Sequence, residues 1–179
     1  MIKYKIAFIG RSNVGKSSLI NFLLGTAIAK TSKHPGKTRK HDLFSYNTKF
    51  DLVDMPGYGF AKVEGIKRQI WDKIMQELFF DDPLFKHLFV LIDSSIKPIK
   101  IDQEFLTWLT ESNIYFSVIF TKIDKAKSKE LKENLEWWKN FIGLLPNNFG
   151  AANTFLASSF LKKGKGEIKA FIETLRAIV

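Results

Sequence analysis

The octapeptide GRSNVGKS, from Gly10 to Ser17, constrains this chain more than any other segment. It has the spacing G-x-x-x-x-G-K-[S/T] and stands between two stretches of different character. Residues 3–9, KYKIAFI, carry apolar and aromatic side chains and predict a buried strand. Residues 18–24, SLINFLL, predict a helix that stops at Gly25. A strand, a glycine-bearing loop and a helix N-terminus in that order converge backbone N–H groups on one point, which suits a polyphosphate. Gly10 and Gly15 permit backbone angles and a close approach that a Cβ would block. Lys16 is placed to set its ammonium between β- and γ-phosphates, and the Ser17 hydroxyl to ligate Mg²⁺.

Beyond the loop, strand-like and helix-like stretches alternate. Residues 42–46 and 50–54 predict adjacent strands joined by a turn at Asn47, and Ile66, Ile70, Ile74 and Leu78 mark a helix. Residues 87–93 predict a strand, and Ile101, Phe105 and Leu109 lie on one side of the helix that follows. Residues 114–120 predict another buried strand, and Leu131, Leu135, Trp138 and Ile142 stripe a charged helix. A short strand at 154–157 precedes a closing helix with Ile168, Phe171, Ile172 and Leu175 at helical spacing. This order predicts one α/β domain over residues 1–179, built around a mainly parallel sheet. The aromatic residues on these stripes read as core. Only the stretch from Thr26 to Lys40 lacks periodicity, and loops of that length inside compact domains are usually functional.

Composition narrows the class. Hydrophobic residues make up 45% of the chain and Phe occurs 17 times, so a packed core is expected rather than disorder. The absence of cysteine excludes disulfides and thiolate metal sites. No apolar run is long enough for a membrane span, and no leader is expected before a phosphate loop that begins at residue ten. A cytoplasmic protein is the expectation. The 28 Lys and Arg against 18 Asp and Glu give a net charge of +10, which favours a polyanionic partner, chiefly nucleic acid.

Three further segments stand at the predicted C-terminal ends of strands, where α/β sheets bind ligands. Asp54 is placed to hold Mg²⁺ through water, and the Gly57 N–H to meet a γ-phosphate. Thr121, Lys122, Ile123 and Asp124 end the fifth strand. A carboxylate there accepts two hydrogen bonds from guanine N1–H and N2–H₂, a pair that adenine does not offer. The aliphatic stem of Lys122 suits the face of a base. Ala157, Ser158 and Ser159 end the sixth strand, with a backbone N–H for the guanine O6. The nucleotide expected is GTP, with GDP as its product.

These segments together resemble the EngB (YihA/YsxC) family of bacterial and organellar GTPases, in the Era-like branch of the translation-factor-related GTPases. The matching stretches are GRSNVGKSSLIN at 10–21, HPGKTR at 34–39, DMPGYGFAKV at 54–63, LIDSSIKPIKIDQEFLTWL at 91–109, TKID at 121–124 and ASS at 157–159. The resemblance implies a P-loop NTPase G domain: a six-stranded, mostly parallel sheet with one antiparallel strand and helices on both faces. It implies GTP hydrolysis coupled to assembly of the large ribosomal subunit through its rRNA, and a link to cell division and septation. The nucleotide contacts implied are Gly10, Arg11, Ser12, Asn13, Val14, Gly15, Lys16, Ser17 and Ser18. To these the motifs add Gly36, Lys37, Thr38, Arg39, Lys40, Asp54, Met55, Pro56 and Gly57, then residues 121–124 and 157–159. Thr38 matches the switch threonine that reaches Mg²⁺ beside Ser17 and Asp54. The chain departs from the family's pattern at His34, often a small residue, and at Ser95, often arginine.

Two positions bear on turnover. Tyr58 follows Gly57 where many GTPases carry the glutamine that orients the attacking water, so slow intrinsic hydrolysis is expected. In related GTPases an asparagine at the position of Asn13 helps hold K⁺ beside the phosphates, which gives Asn13 a catalytic role next to Lys16 and Thr38. Asparagine also suits a left-handed turn for its own sake. Lys30, Lys33, Lys37, Arg39 and Lys40, with His34 and His41, form an acid-free stretch suited to rRNA phosphates, and Lys162, Lys163 and Lys165 form a second basic group. A monomer is expected. The competing reading is an RNA-binding module that uses GTP and GDP as conformational ligands with little turnover.

Overall fold

The computed structural model describes residues 2–28, 42–58, 76, 81–146 and 153–175. Within them the elements run β1 (Tyr4–Gly10), α1 (Lys16–Leu24), β2 (Asp42–Ser45), β3 (Phe50–Asp54), β4 (Phe85–Asp93), α2 (Lys100–Glu111), β5 (Phe116–Thr121), α3 (Ser128–Gly143), β6 (Thr154–Leu156) and α4 (Lys165–Thr174). The six strands form one sheet in the order β2-β3-β1-β4-β5-β6. β2 runs antiparallel to β3, and every other pairing is parallel. The sheet therefore has the mostly parallel form with one antiparallel strand that the family resemblance implies.

Chemistry along the strands explains the layering. β1, β4 and β5 are central and buried on both faces, so they read as continuous apolar runs rather than alternating ones. Alternate residues point to opposite sides. Ala7 and Ile9 of β1 join one core with Leu106 and Leu109 of α2 and Trp138 and Ile142 of α3. Ile6 and Phe8 join the other with Leu19 and Leu23 of α1 and Ile168 and Ile172 of α4. Helices thus cover both faces. Between β2 and β3, the Asn47 side-chain oxygen accepts from the Lys49 and Phe50 N–H groups, each at 2.8 Å, which fixes the expected turn. α1 ends where Gly25 takes φ +78 and donates its N–H to Asn21 O at 2.8 Å.

Two details differ from the periodic reading. On α2 the inward face carries Asp102, Leu106 and Leu109 with Phe105 packed against them, while Ile101 is exposed. A carboxylate replaces an aliphatic group on that face because distant partners satisfy it, as described below. Strand β5 begins at Phe116 rather than at residue 114. Ile114 is still buried, ahead of the strand, whereas Tyr115 is exposed. The four residues that mark a helix in the sequence, Ile66, Ile70, Ile74 and Leu78, lie outside the described residues, as does the whole basic stretch from Lys30 to His41. Among the described residues, no helix is long and apolar enough to cross a membrane.

Candidate functional site

Strands β1, β3, β4, β5 and β6 all run parallel, so their C-terminal ends share one edge of the sheet. After β1 the chain builds β3 and β2 on one side, then crosses to β4 on the other. Such a reversal leaves a crevice at the strand ends, here above β1. The segment from Gly10 to Ser17 fills it.

Steric crowding selects the glycines of this loop. A Cβ on Gly10 would stand 2.8 Å from Val14 Cγ1 and 2.9 Å from Leu91 O. Gly15 adopts φ +100 at the N-terminus of α1, a conformation that costs L-residues strain. Asn13 adopts φ +64 with its side chain exposed, the left-handed turn that asparagine tolerates. Neighbouring strand ends brace the loop: Thr121 Oγ1 donates to Val14 O at 2.6 Å. A Cβ on Gly57 would lie 3.0 Å from both Gly10 O and Ser12 N. Only a glycine lets the segment after β3 approach the loop this closely.

Lys16 and Ser17 open α1, and both reach the carboxylate that ends β3. Lys16 Nζ is paired with Asp54 Oδ1, and Ser17 Oγ donates to Asp54 Oδ2 at 3.0 Å. Burial pushes the Lys16 ammonium down from 10.5 to about 8, while the Asp42 carboxylate on the adjacent strand partly offsets this. A hydroxyl and a carboxylate side by side are hard oxygen donors. Among the described residues no cluster of three or more His, Cys, Asp or Glu converges on a point. A serine hydroxyl beside a carboxylate fits Mg²⁺, which is held by one or two protein oxygens together with phosphates.

Beside the loop lies a cavity of about 390 Å³, lined by residues of α1, the ends of β5 and β6 and the turns beyond. Gly15, Ser18 and Leu19 form its loop side, Thr121, Lys122, Asp124 and Lys125 a second side, and Ala157, Ser159 and Phe160 a third. Lys122 adopts φ +58 and turns its Nζ to Asp93 Oδ2 at 2.6 Å, so its aliphatic stem lines the cavity. Ser158 Oγ donates to Asp124 Oδ1 at 2.5 Å, which orients the carboxylate while leaving its other oxygen available. Asp93 also accepts from Ser95 N–H at 3.0 Å and Ser95 Oγ at 2.6 Å, so Ser95 serves the β4 end locally.

The structure brings together Gly10 to Ser18, Asp54 to Gly57, residues 121–124 and 157–159. It also separates roles within them. Met55 is fully buried in the core with Ala7, Ile9 and Tyr58. Arg11 turns away from the crevice and donates from Nε to Asp102 at 2.9 and 3.2 Å. Gly36, Lys37, Thr38, Arg39 and Lys40 lie outside the described residues. Three contributors escaped the sequence reading: Asp93, Asp102 and Phe160. An acid at a strand's C-terminal end, and an acid on an otherwise apolar helix face, were the signals for the first two.

Known proteins resemble this chain in both sequence and fold. The family model described as "50S ribosome-binding GTPase" matches residues 5–122. A protein of Christiangramia forsetii named "Probable GTP-binding protein EngB" is 46% identical over 168 residues, covering 93% of this chain and 84% of that protein. One of the same name from Porphyromonas gingivalis is 44% identical, covering 94% of this chain and 84% of its own length. Among solved structures, one described as "a probable GTP-binding protein engB" superposes with a TM-score of 0.74 at 26% identity, covering 97% of this chain and 99% of that one.

Proposed function

Since the chain belongs to the EngB family of GTP-binding proteins, a family of GTPases, we propose that it binds GTP and hydrolyses it to GDP. In this proposal the change of nucleotide switches its association with the large ribosomal subunit during assembly, in support of normal cell division. The observation that carries the nucleotide half is one cavity shared by the phosphate loop, through Gly15 and Ser18, and by Asp124, whose carboxylate is oriented by Ser158. The guanine edge would meet Asp124 and the Ser159 backbone. The phosphates would meet the loop N–H groups.

In this reading Lys16 exchanges Asp54 for the β- and γ-phosphates, and the Asp54 carboxylate and Ser17 hydroxyl are left to hold Mg²⁺, together with Thr38. When bound, Mg²⁺ would neutralise charge that develops on the transferring phosphoryl group. The Asn13 side chain, exposed at the loop, would offer its carbonyl oxygen to K⁺. A slow unaided rate is expected, because the Tyr58 phenol that stands in place of a water-orienting glutamine is buried in the core. The ribosomal half rests on the family description and on the net charge of +10, which suits rRNA phosphates. The chain would act as a single G domain over residues 1–179, monomeric and cytoplasmic.

One experiment tests the whole reading. GTP turnover is measured with and without large ribosomal subunits, alongside cosedimentation with large-subunit precursors in GTP and in GDP. Stimulated turnover and nucleotide-dependent sedimentation that weakens with salt are expected. Turnover that ignores the subunits would instead support a module that uses GTP and GDP as conformational ligands, a reading that Tyr58 keeps open.

A further inference from the structure

The turn after β6 holds an aromatic ring in the open beside the base cavity. Phe160 is 83% exposed, yet it lines the same cavity as Lys122, Asp124 and Ala157. A lone exposed apolar side chain is ordinary. This one is held by a turn whose geometry is tied to the base-reading carboxylate.

Ser158 and Lys163 exchange two backbone hydrogen bonds of 3.2 and 3.0 Å, which close the turn across Ser159 to Lys162. Inside it, Ser158 Oγ accepts from the Leu161 N–H at 2.9 Å while donating to Asp124 Oδ1 at 2.5 Å. One hydroxyl therefore sets both the turn that carries Phe160 and the orientation of Asp124. The turn's exit is equally constrained. Gly164 adopts φ +85, and a Cβ there would stand 2.1 Å from Leu156 O.

We propose that Phe160 contacts the nucleobase: its ring covers a face of the purine whose edge bonds to Asp124. This rests on the GTP reading above and extends it to a residue that none of the motifs contains. A phenyl ring brings no hydrogen bond. It adds affinity through stacking and exclusion of water from the base, and it does so for any purine. Selectivity for guanine stays with Asp124, and the phosphates do not feel the ring. The loss on removing it is therefore shared equally by GTP and GDP.

Equilibrium titration of the full chain with GDP and with GTP tests this. F160A is expected to bind both about tenfold more weakly, at the low end of the range for base–aromatic stacking, with an unchanged melting temperature because the ring is exposed. F160W is expected to keep the original affinity, and the emission it adds over the unsubstituted protein should fall when GDP binds. F160A binding as tightly as the unsubstituted chain would overturn the proposal. So would an F160W emission indifferent to GDP, or a loss confined to GTP. A distinct result, an unsubstituted chain that binds neither nucleotide, would overturn the GTP reading beneath it.

Discussion

Tyr58 donates its phenolic hydroxyl to the Asp102 carboxylate at 2.8 Å, 44 residues along the chain and inside the core. The ring stacks on Phe105, with centroids 4.1 Å apart and planes 15° from parallel. Arg11 donates to the same carboxylate from the phosphate loop. Asp102 is only 2% exposed, and burial pushes its carboxyl up against the Tyr58 and Arg11 bonds that hold it down. Burial, then the neighbouring carboxylate, pushes the Tyr58 phenol well above 10. One carboxylate thus fastens the phosphate loop, the segment after β3 and helix α2 together. The side chain that replaces the expected glutamine is engaged in that fastening.

Y58F should therefore act on stability and spare the chemistry. Removing a hydrogen bond to a charged group costs about 2 kcal/mol, read as a shift in the urea midpoint. D102A should cost more, because it leaves the Tyr58 hydroxyl and the Arg11 guanidinium without their shared acceptor. GTP turnover by Y58F should stay within about twofold of the original, since the lost hydroxyl faces Asp102. A tenfold fall in turnover would mean that the phenol meets the reacting water.

Asp124 accepts one bond from Ser158 and is proposed to accept two from guanine. In D124N an amide replaces one acceptor oxygen with a donor, opposing guanine N1–H and N2–H₂. Losing two hydrogen bonds to a charged acceptor corresponds to about 3–6 kcal/mol, so GDP affinity should fall by ~10²-fold or more. Xanthosine diphosphate carries a carbonyl where guanine has its amino group and should become the better ligand. Competition between the two diphosphates measures the switch, and an unaltered preference for GDP would place the base elsewhere.

The parts of the fold written in local pattern were legible. Residues 50–54 and 87–93 marked β3 and β4, the spacing from Gly10 to Ser17 marked the phosphate loop, and Asn47 marked the turn between β2 and β3. Helix α2 shows where such reading stops. Ile101, Phe105 and Leu109 form a regular i, i+4 row, yet the helix rolls so that Asp102 faces inward and Ile101 faces water. The side chains that make a buried acid tolerable, Arg11 and Tyr58, are 91 and 44 residues away. No local periodicity encodes that arrangement. Phe160 escapes for a different reason: it lies on none of the apolar stripes and just past the ASS segment, and only the turn closed by Ser158 and Lys163 sets it beside the cavity. The site was legible where single segments supply its groups, as in Lys16, Ser17 and Asp124. It was not where tertiary contacts choose a side chain's direction, as for Arg11.

Asn13 sits at φ +64, so its backbone alone explains why asparagine stands there. A role for its side chain in holding K⁺ must be separated from that preference. N13G does so, because glycine adopts the same angle without strain and lacks the amide oxygen. The melting temperature of N13G should stay close to the original. GTP turnover by the unsubstituted chain should be at least about tenfold faster in K⁺ than in Na⁺, a fraction of what an arginine finger supplies, and N13G should lose that difference. Equal rates in the two salts would leave Asn13 as a turn residue and nothing more.

His87 supplies a test of the core. Its ring meets Ser117 Oγ at 2.9 Å and packs edge-on against Phe89 and Phe171. Burial pushes its pKa down from 6.5 to about 4. With the folded value below the unfolded one, the unfolded chain binds more protons between those limits, and stability rises with pH across that window. The contribution is complete above about 6.5 and is lost as pH falls toward 4. At 1.36 kcal/mol per pH unit the full loss is roughly 3 kcal/mol. Asp and Glu residues titrate in the same range, so the comparison must be with H87F, which keeps a ring of similar size among Phe89 and Phe171. Urea unfolding at pH 7 and pH 4.5 should show the unsubstituted chain losing about 2–3 kcal/mol more than H87F over that interval. Identical losses would mean that the imidazole remains accessible to protons in the folded state, which the packing around His87 opposes.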